Sequence, residues 1–393
     1  MTTPQHIPSG YMPSPLGPIP EDWEVKRLGE VCNFLDSQRV PIKDGDRVKM
    51  QGKYPYYGAS GIIDYVNDYL FDDDLILLGE DGANILTRST PLAFLVSGKV
   101  WVNNHAHVLK TSTNHNRYYI CNYLESLSYD KYNTGTAQPK LNREICENIP
   151  ILLPNIYEQN KIADILQLWD TAIAKQTALI EQLTLRKRGL MQQLLTGKKR
   201  LKGFEGGNFH RLGNYISECN RRNAGCNRVL SVTNTRGFIL QEEQFDKIVA
   251  SNDTSNYKVV CRGEFAYNPS RVNVGSLAML NDYDEGILSP MYIVFKANEN
   301  IDKTYLLQCL QSWWFRGHIP AYTQGSVRDS LSFDGLCSMK FYIPTLQEQK
   351  AISSILERAD KEIEIQKQKL AAMQAQKKGL MQVLLTGKRR IRK

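Results

Sequence analysis

Residues 154–200 and 344–390 align at a constant offset of 190, without a gap, and 20 of the 47 positions are identical. Among them are Pro154/Pro344, Glu158/Glu348, Gln159/Gln349, Ile162/Ile352, Leu166/Leu356, Asp170/Asp360, Ile173/Ile363 and Gln176/Gln366. The far end matches best: Gly189-Leu190-Met191-Gln192 recurs as Gly379-Leu380-Met381-Gln382, and Leu194 to Lys198 as Leu384 to Lys388. Ungapped identity of this length means duplication, so whatever the segment folds into is present twice.

The repeated segment reads as a long helix. Its apolar residues recur in steps of four and three, through Ile162, Leu166, Ile173, Leu183 and Leu190, and again through Ile352, Leu356, Ile363, Met373 and Leu380. A 3.5-residue period sustained this far is a coiled-coil seam. Two seam positions are polar in both copies, Gln176/Gln366 and Lys187/Lys377; such residues cost stability but fix register. Pro154 and Pro344 precede each helix, and Gly197 and Gly387 suit its C-terminal cap. Forty residues at ~1.5 Å each make a rod of ~60 Å. The two narrow seams pack most simply against each other, antiparallel about a pseudo-two-fold axis; the other arrangement is each helix supporting only its own domain.

Outside the helices the repeat fades. Arg27-Leu28-Gly29 matches Arg211-Leu212-Gly213, and Gly135 and Leu141 match Gly325 and Leu331. Between these landmarks the two blocks show no obvious likeness. Both read as mixed α/β. Strands are expected at 75–78, 92–96, 101–102 and 107–110, with a helix over 118–127. In the second block they are expected at 229–232, 257–260, 275–280 and 291–295, with a helix over 305–315. The chain thus divides into a Pro-rich tail (1–18), a first α/β domain (19–153), a first helical region (154–200), a second α/β domain (201–343) and a second helical region (344–393). No run of ~18 apolar residues occurs, so no membrane span is expected. The eight cysteines are scattered without a CxxC pair, as for reduced thiols in a cytoplasmic protein.

The net charge of +8 is concentrated. Residues 186–202 and 377–393 each carry seven basic residues and no acidic one. Phosphate contact or docking on an acidic partner would use them; complementing the helix dipole would need only one or two. Arg reads guanine edges and Asn reads adenine, so polar clusters in the α/β blocks are candidates for base contact. In the first block these are Tyr54, Tyr57, Asn84, Arg88, Asn103, Asn104, His105, Gly135, Gln138 and Lys140. In the second they are Arg221, Arg222, Asn234, Arg236, Asn268, Arg271, Asn273, Gly325, Ser326 and Arg328. Taken singly, each also fits an ordinary surface loop.

Enzyme signatures fail. There is no GxxxxGK[ST] loop. Asn268-Pro269-Ser270-Arg271 lacks the second proline and aromatic residue of an amino-methyltransferase turn. His105-Ala-His107 has no ligand spacing to complete a metal site and reads as strand alternation. Glu80-Asp81 reads as a turn.

Together, Ile19-Pro20-x-x-Trp23, Leu28-Gly29, Pro154-x-x-x-Glu158-Gln159-x-x-Ile162 and Gly189-Leu190-Met191-Gln192…Leu195-Thr196-Gly197-Lys198 resemble the specificity subunits (HsdS) of type I restriction–modification systems. The helix motifs occur twice, and the resemblance covers nearly the whole chain from Ile19. It implies two target-recognition domains joined by two long antiparallel helices. Each domain would read one half of a split site in double-stranded DNA, with the helices as a ruler for the gap. It implies no catalytic residue, metal or cofactor on this chain. Its partners would be two modification subunits, which bind S-adenosylmethionine and methylate adenine, and restriction subunits where present. A self-sufficient DNA methyltransferase or nuclease, or a coiled-coil protein scaffold without a DNA role, are the rival readings.

Overall fold

The computed structural model describes residues 7–135, 138–234, 236–244, 253–323 and 330–391. The chain divides into two compact units, residues 1–177 with 369–393, and residues 178–368.

In the first unit, β1 (Glu24–Arg27) pairs antiparallel with β10 (Pro150–Leu153). One four-stranded sheet runs β2 (Cys32–Phe34), β9 (Ala106–Thr111), β6 (Leu75–Gly79), β7 (Ala93–Val96). The sequence Leu-Ile-Leu-Leu-Gly of β6 is buried at every position, as an interior strand without polar alternation should be. A second sheet runs β4 (Gly61–Val66), β3 (Gln51–Gly58), β8 (Lys99–Val102), β5 (Phe71–Asp72). Helix α1 (Arg117–Ser126) is capped by Asn116, whose side chain accepts from Tyr119 N at 2.9 Å.

In the second unit, β11 (Asn208–Arg211) pairs with β20 (Lys340–Ile343) in the register that β1 keeps with β10. Its four-stranded sheet runs β12 (Ile216–Glu218), β19 (Ile293–Ala297), β16 (Phe265–Tyr267), β17 (Leu277–Met279). Two antiparallel pairs accompany it, β13 (Leu230–Thr233) with β14 (Gly237–Leu240) and β15 (Lys258–Cys261) with β18 (Glu285–Leu288). The helix expected over 305–315 is two helices, α3 (Lys303–Gln311) and α4 (Trp313–His318). Ser312 breaks it: its backbone is extended (ψ 151°) and its Oγ accepts from Phe315 N, starting a new helix.

The two α/β domains share more than their sequences suggest. Tyr119 Oη donates to the Leu152 carbonyl at 2.8 Å, and Tyr305 Oη to the Tyr342 carbonyl at 2.7 Å. Asp302 caps α3 as Asn116 caps α1. The common framework rests on a few buried contacts, which is why the intervening sequence shows no likeness.

The repeated segments are helices of 39 residues each, α2 (Ile156–Leu194) and α5 (Leu346–Leu384). Within the first unit the end of α5 packs on the start of α2: Met381, Leu384 and Leu385 share a core with Ile162, Ala163 and Leu166. Within the second, Leu194 and Leu195 share one with Ile352 and Leu356. Burying each such side chain stabilises by about 1.5–3 kcal/mol. Of the other seam residues, Gln176 and Ile363 are buried, and Ile173, Leu183, Leu190, Gln366, Met373 and Leu380 are half-buried. Gly197 and Gly387 have φ of +70° and +72°, and both lie just beyond a helix end.

Candidate DNA interface

In the first domain several segments converge at the ends of β6, β8 and β3. They are the segment Glu80–Ala83, the turn Asn103–His105, the stretches Asn133–Gly135 and Gln138–Leu141, and the tip of the β3–β4 hairpin. Glu80 is the junction. Its N–H donates to the His105 carbonyl at 2.9 Å, and its carbonyl accepts from Leu141 N at 2.8 Å. Gly82 N donates to the Pro139 carbonyl at 3.1 Å, and Asn103 N to the Tyr57 carbonyl at 3.1 Å. Asn133 Oδ1 accepts from Gly135 N and Lys140 N, closing the loop on itself.

Beneath these turns lies an ion cluster. The Glu80 carboxylate faces Arg39 at 2.7 Å, Lys140 at 3.4 Å and His107 Nδ1 at 3.7 Å. His107 is 1% exposed; Nδ1 lies 2.7 Å from Asp36 Oδ2 and Nε2 2.9 Å from the Leu141 carbonyl. With an acceptor at each ring nitrogen, the ring is held as the doubly protonated cation. Burial alone would lower its pKa, but the hydrogen bond to Asp36, with Cys146 alongside, outweighs burial and raises it to about 10. Burial would push the Asp36 carboxyl up; hydrogen bonds from His107 and Val108 N–H and the Arg39 charge hold it below the usual range.

Of the residues expected from sequence, Asn103, Asn104, His105, Gly135, Gln138 and Lys140 come together here. Asn104, His105, Gln138 and Lys140 are exposed, whereas Asn103 is buried, its Oδ1 accepting from His105 N at 2.8 Å. Tyr54, Tyr57, Asn84 and Arg88 point elsewhere. Tyr57 packs on the Phe94 ring, Tyr54 on that of Tyr69, and Asn84 closes a turn onto Thr90. Arg88, at φ +50°, pairs with Glu125 at 2.8 Å. Strand alternation accounts for only one of the two histidines: His107 is on β9, but His105 sits in the turn before it and pairs with Asp81 at 2.8 Å. The turn expected at Glu80-Asp81 falls instead at Gly82-Ala83: Asp81 forms an antiparallel bridge with Lys140, and Glu80 is the ionic hub. Arg39 went unnoticed, because nothing in its local sequence marks it.

The second domain repeats the junction with other residues. Leu331 N donates to the Pro269 carbonyl at 3.1 Å, as Leu141 does to Glu80. The loop Asn268–Ser276 between β16 and β17 carries Asn268, Arg271 and Asn273; the last two are exposed. Gly275, at φ +99°, lets Asn234 and Arg316 approach: a Cβ there would lie 3.3 Å from Asn234 Cβ and 3.1 Å from Arg316 Nη2. Arg316 was not foreseen. Arg221 instead pairs with Glu264, Arg222 donates to the Asn256 carbonyl, and Arg236 lies 3.7 Å from Glu243. Gly325, Ser326 and Arg328 lie outside the described residues.

The basic helix ends divide into two groups. In the first unit Lys377 pairs with Asp170 at 2.6 Å, and Arg390 with Glu158 at 2.9 Å and Asp22 at 2.6 Å. In the second, Lys187 pairs with Asp360 at 2.5 Å and Arg200 with Glu348 at 2.5 Å. Lys187 and Lys377 thus act across the seam, as their repeated polar positions suggested, whereas Arg200 and Arg390, just beyond the helix ends, tie each C-terminal segment to the start of the other helix, a use not anticipated for them; Lys198, Lys199, Lys388 and Arg389 are exposed. Burial would raise the Glu158 carboxyl, but hydrogen bonds from Arg390, Ile391 N–H and Trp23 hold it below the usual range. Among the described residues no three metal-ligating side chains cluster, and no helix is long and apolar enough to cross a membrane.

The family described as the type I restriction modification DNA specificity domain matches residues 20–185 and 244–375. The chain belongs to this family. It is similar to the type I restriction enzyme MjaVIII specificity subunit of Methanocaldococcus jannaschii, 26% identical over 95% of this chain and 94% of that one. A putative type I restriction enzyme specificity subunit of Haemophilus influenzae is 35% identical over 36% of each chain. Among solved structures, the S subunit of a type I restriction–modification system from M. genitalium superposes with a TM-score of 0.58 at 14% identity, covering 92% of this chain and 96% of the other. A structure concerning complex assembly and conformational transition of the type I R-M system gives 0.55 at 13% identity, covering 94% and 99%. These likenesses show the fold: two mixed α/β domains and two long helices. The chain is a specificity subunit of a type I restriction–modification system, and its α/β domains are DNA recognition domains.

Proposed function

We propose that this specificity subunit reads a split, asymmetric site in double-stranded DNA, one half-site of ~3–5 bp per domain, and that the paired long helices set the unread gap. The observation that carries this reading is the contrast between what repeats and what does not. The helix clamps recur residue for residue, Asp170–Lys377 as Asp360–Lys187 and Glu158–Arg390 as Glu348–Arg200. The loops at the two junctions share the anchoring backbone bond and the Gly135/Gly325 and Leu141/Leu331 landmarks, but the polar residues they carry differ. A duplicated frame with unlike reading loops suits two different half-sites.

On this reading the chain performs no chemical step and acts in the cytoplasm. Two like helix ends suit two copies of a modification subunit, which would bind S-adenosylmethionine and methylate adenine; restriction subunits would join where present. The test is single-molecule methylation sequencing of a host expressing the chain with its modification subunit. The expected result is one two-part motif with unlike halves and a fixed gap. An uninterrupted motif, or methylation by the chain alone, overturns the proposal.

A further inference from the structure

Both candidate reading surfaces carry exposed apolar side chains among their polar groups. In the first domain the β3–β4 hairpin ends at Gly58-Ala59-Ser60-Gly61, and its tip abuts the converging loops: a Cβ at Gly79 would lie 2.8 Å from the Ala59 carbonyl oxygen. Gly58 lies between Ile63 and Asn103. A Cβ there would be 3.3 Å from Ile63 Cγ2 and 3.6 Å from Asn103 Nδ2, so Ile63 sits beside the Asn103–His105 turn. Yet Ile63 is 53% exposed and its neighbour Ile62 46%, on the edge strand of the sheet. Exposed β-branched residues on an edge strand invite unwanted pairing, and a chain that keeps them there gains something from their exposure.

The second domain, unlike in sequence, does the same. Val274 is 57% exposed, next to Asn273 in the loop that carries Arg271. Met291 is 62% exposed, its Sδ 3.6 Å from Asn268 Nδ2. An apolar knob beside amide and guanidinium donors matches the major-groove edge of one base pair in particular. An A·T pair offers hydrogen-bonding atoms next to the apolar 5-methyl group of thymine.

We propose that Ile63 reads the 5-methyl group of a thymine in the half-site of the first domain, and that Val274 does so for the second. The proposal rests on the reading of the α/β loops as the DNA-contacting surface, and it adds a contact of a different chemistry from the polar ones.

The test uses the full chain assembled with its modification subunits, on duplexes carrying the site found by methylation sequencing. Each thymine is replaced in turn by deoxyuridine, which deletes the methyl group and leaves base pairing intact. The wild-type complex is expected to lose about fourfold in affinity at one position of the first half-site, the worth of one methyl withdrawn from water. Ile63→Ala should bind the thymine and deoxyuridine duplexes alike, at the wild-type affinity for deoxyuridine. Val274→Ala should keep the wild-type response in that half-site and lose the response in the other. The proposal is overturned if no thymine of the first half-site responds in the wild type, or if Ile63→Ala responds as the wild type does. Either result leaves the two-part motif in place. Failure of the wider reading shows itself separately, as the absence of any two-part motif in the sequencing.

Discussion

Lys377 Nζ lies 2.6 Å from Asp170 Oδ1, and the duplication repeats the pair as Lys187 and Asp360 at 2.5 Å. Each lysine meets not its own copy's aspartate but the aspartate of the other copy. From Lys377 on α5 to Arg390 just beyond its end the chain advances, while its partners on α2 retreat from Asp170 to Glu158. Antiparallel register is thus written into charge as well as into the apolar seam. Tyr118 also donates to Asp170, and Gln308 Nε2 to Asp360 at 3.4 Å, so each aspartate ties α1 or α3 of its domain to the helix pair.

Charge reversal tests that register. Asp170→Lys places two cations together and should destabilise the chain; Lys377→Asp added to it should restore most of the loss. The Asp170 side chain is about two-fifths exposed, so solvent screens the pair, and the coupling in a double-mutant cycle by urea unfolding should be about 0.5–1 kcal/mol. A coupling of zero would remove the pair as a register device.

The buried imidazolium gives a pH signature. His107 titrates at about 10 in the fold against 6.5 when unfolded, so folding holds a proton that the unfolded chain releases. Its stabilisation is complete below pH 6.5 and is lost as pH rises through 10. Stability measured by denaturant unfolding should decline between pH 7 and 10. His107→Gln should flatten that decline and cost about 2 kcal/mol at neutral pH, because it removes the charged hydrogen bond to buried Asp36 and leaves only Arg39 and Val108 N–H beside it. An unchanged slope in the variant would assign the decline to other groups.

The helix-end glycines predict an asymmetric rescue. A Cβ at Gly387 would lie 2.6 Å from Pro20 Cδ; one at Gly197 would lie 2.8 Å from the Tyr342 ring. Both have positive φ. Gly197→Ala and Gly387→Ala should each lower stability by about 1–2 kcal/mol. Tyr342→Leu introduces the residue found at the matching Leu152, and it should relieve the contact in Gly197→Ala but not the backbone strain. Thermal unfolding should therefore show a partial recovery for that pair and none for Tyr342→Leu with Gly387→Ala.

Arg271 is exposed on the Asn268–Ser276 loop. Replacing it with Ala should cost about 1–3 kcal/mol of base discrimination at one position of a single half-site. Methylation sequencing should show that position becoming degenerate while the other half-site stays sharp. Degeneracy in both halves would place Arg271 outside direct readout.

The sequence alone determined the two helices, their seam, their caps and the family, because a 3.5-residue period and an ungapped duplication are local, additive signals. Asp170/Asp360 and Lys187/Lys377 stood out as repeated residues, yet that each lysine reaches across to the other copy's aspartate is a long-range fact. The reading loops divide in the same way. Asn104, His105 and Lys140 could be named from residue type, but only the fold shows that Glu80 gathers them and that Asn84, Arg88 and Arg221 are spent on internal partners. Ile63 carries no sequence mark at all, since an isoleucine beside other apolar residues reads as core; its exposure follows from the edge position of β4. Periodicity fixes which face a residue takes on its own element, whereas which elements close over that face is decided by contacts between residues far apart in the chain.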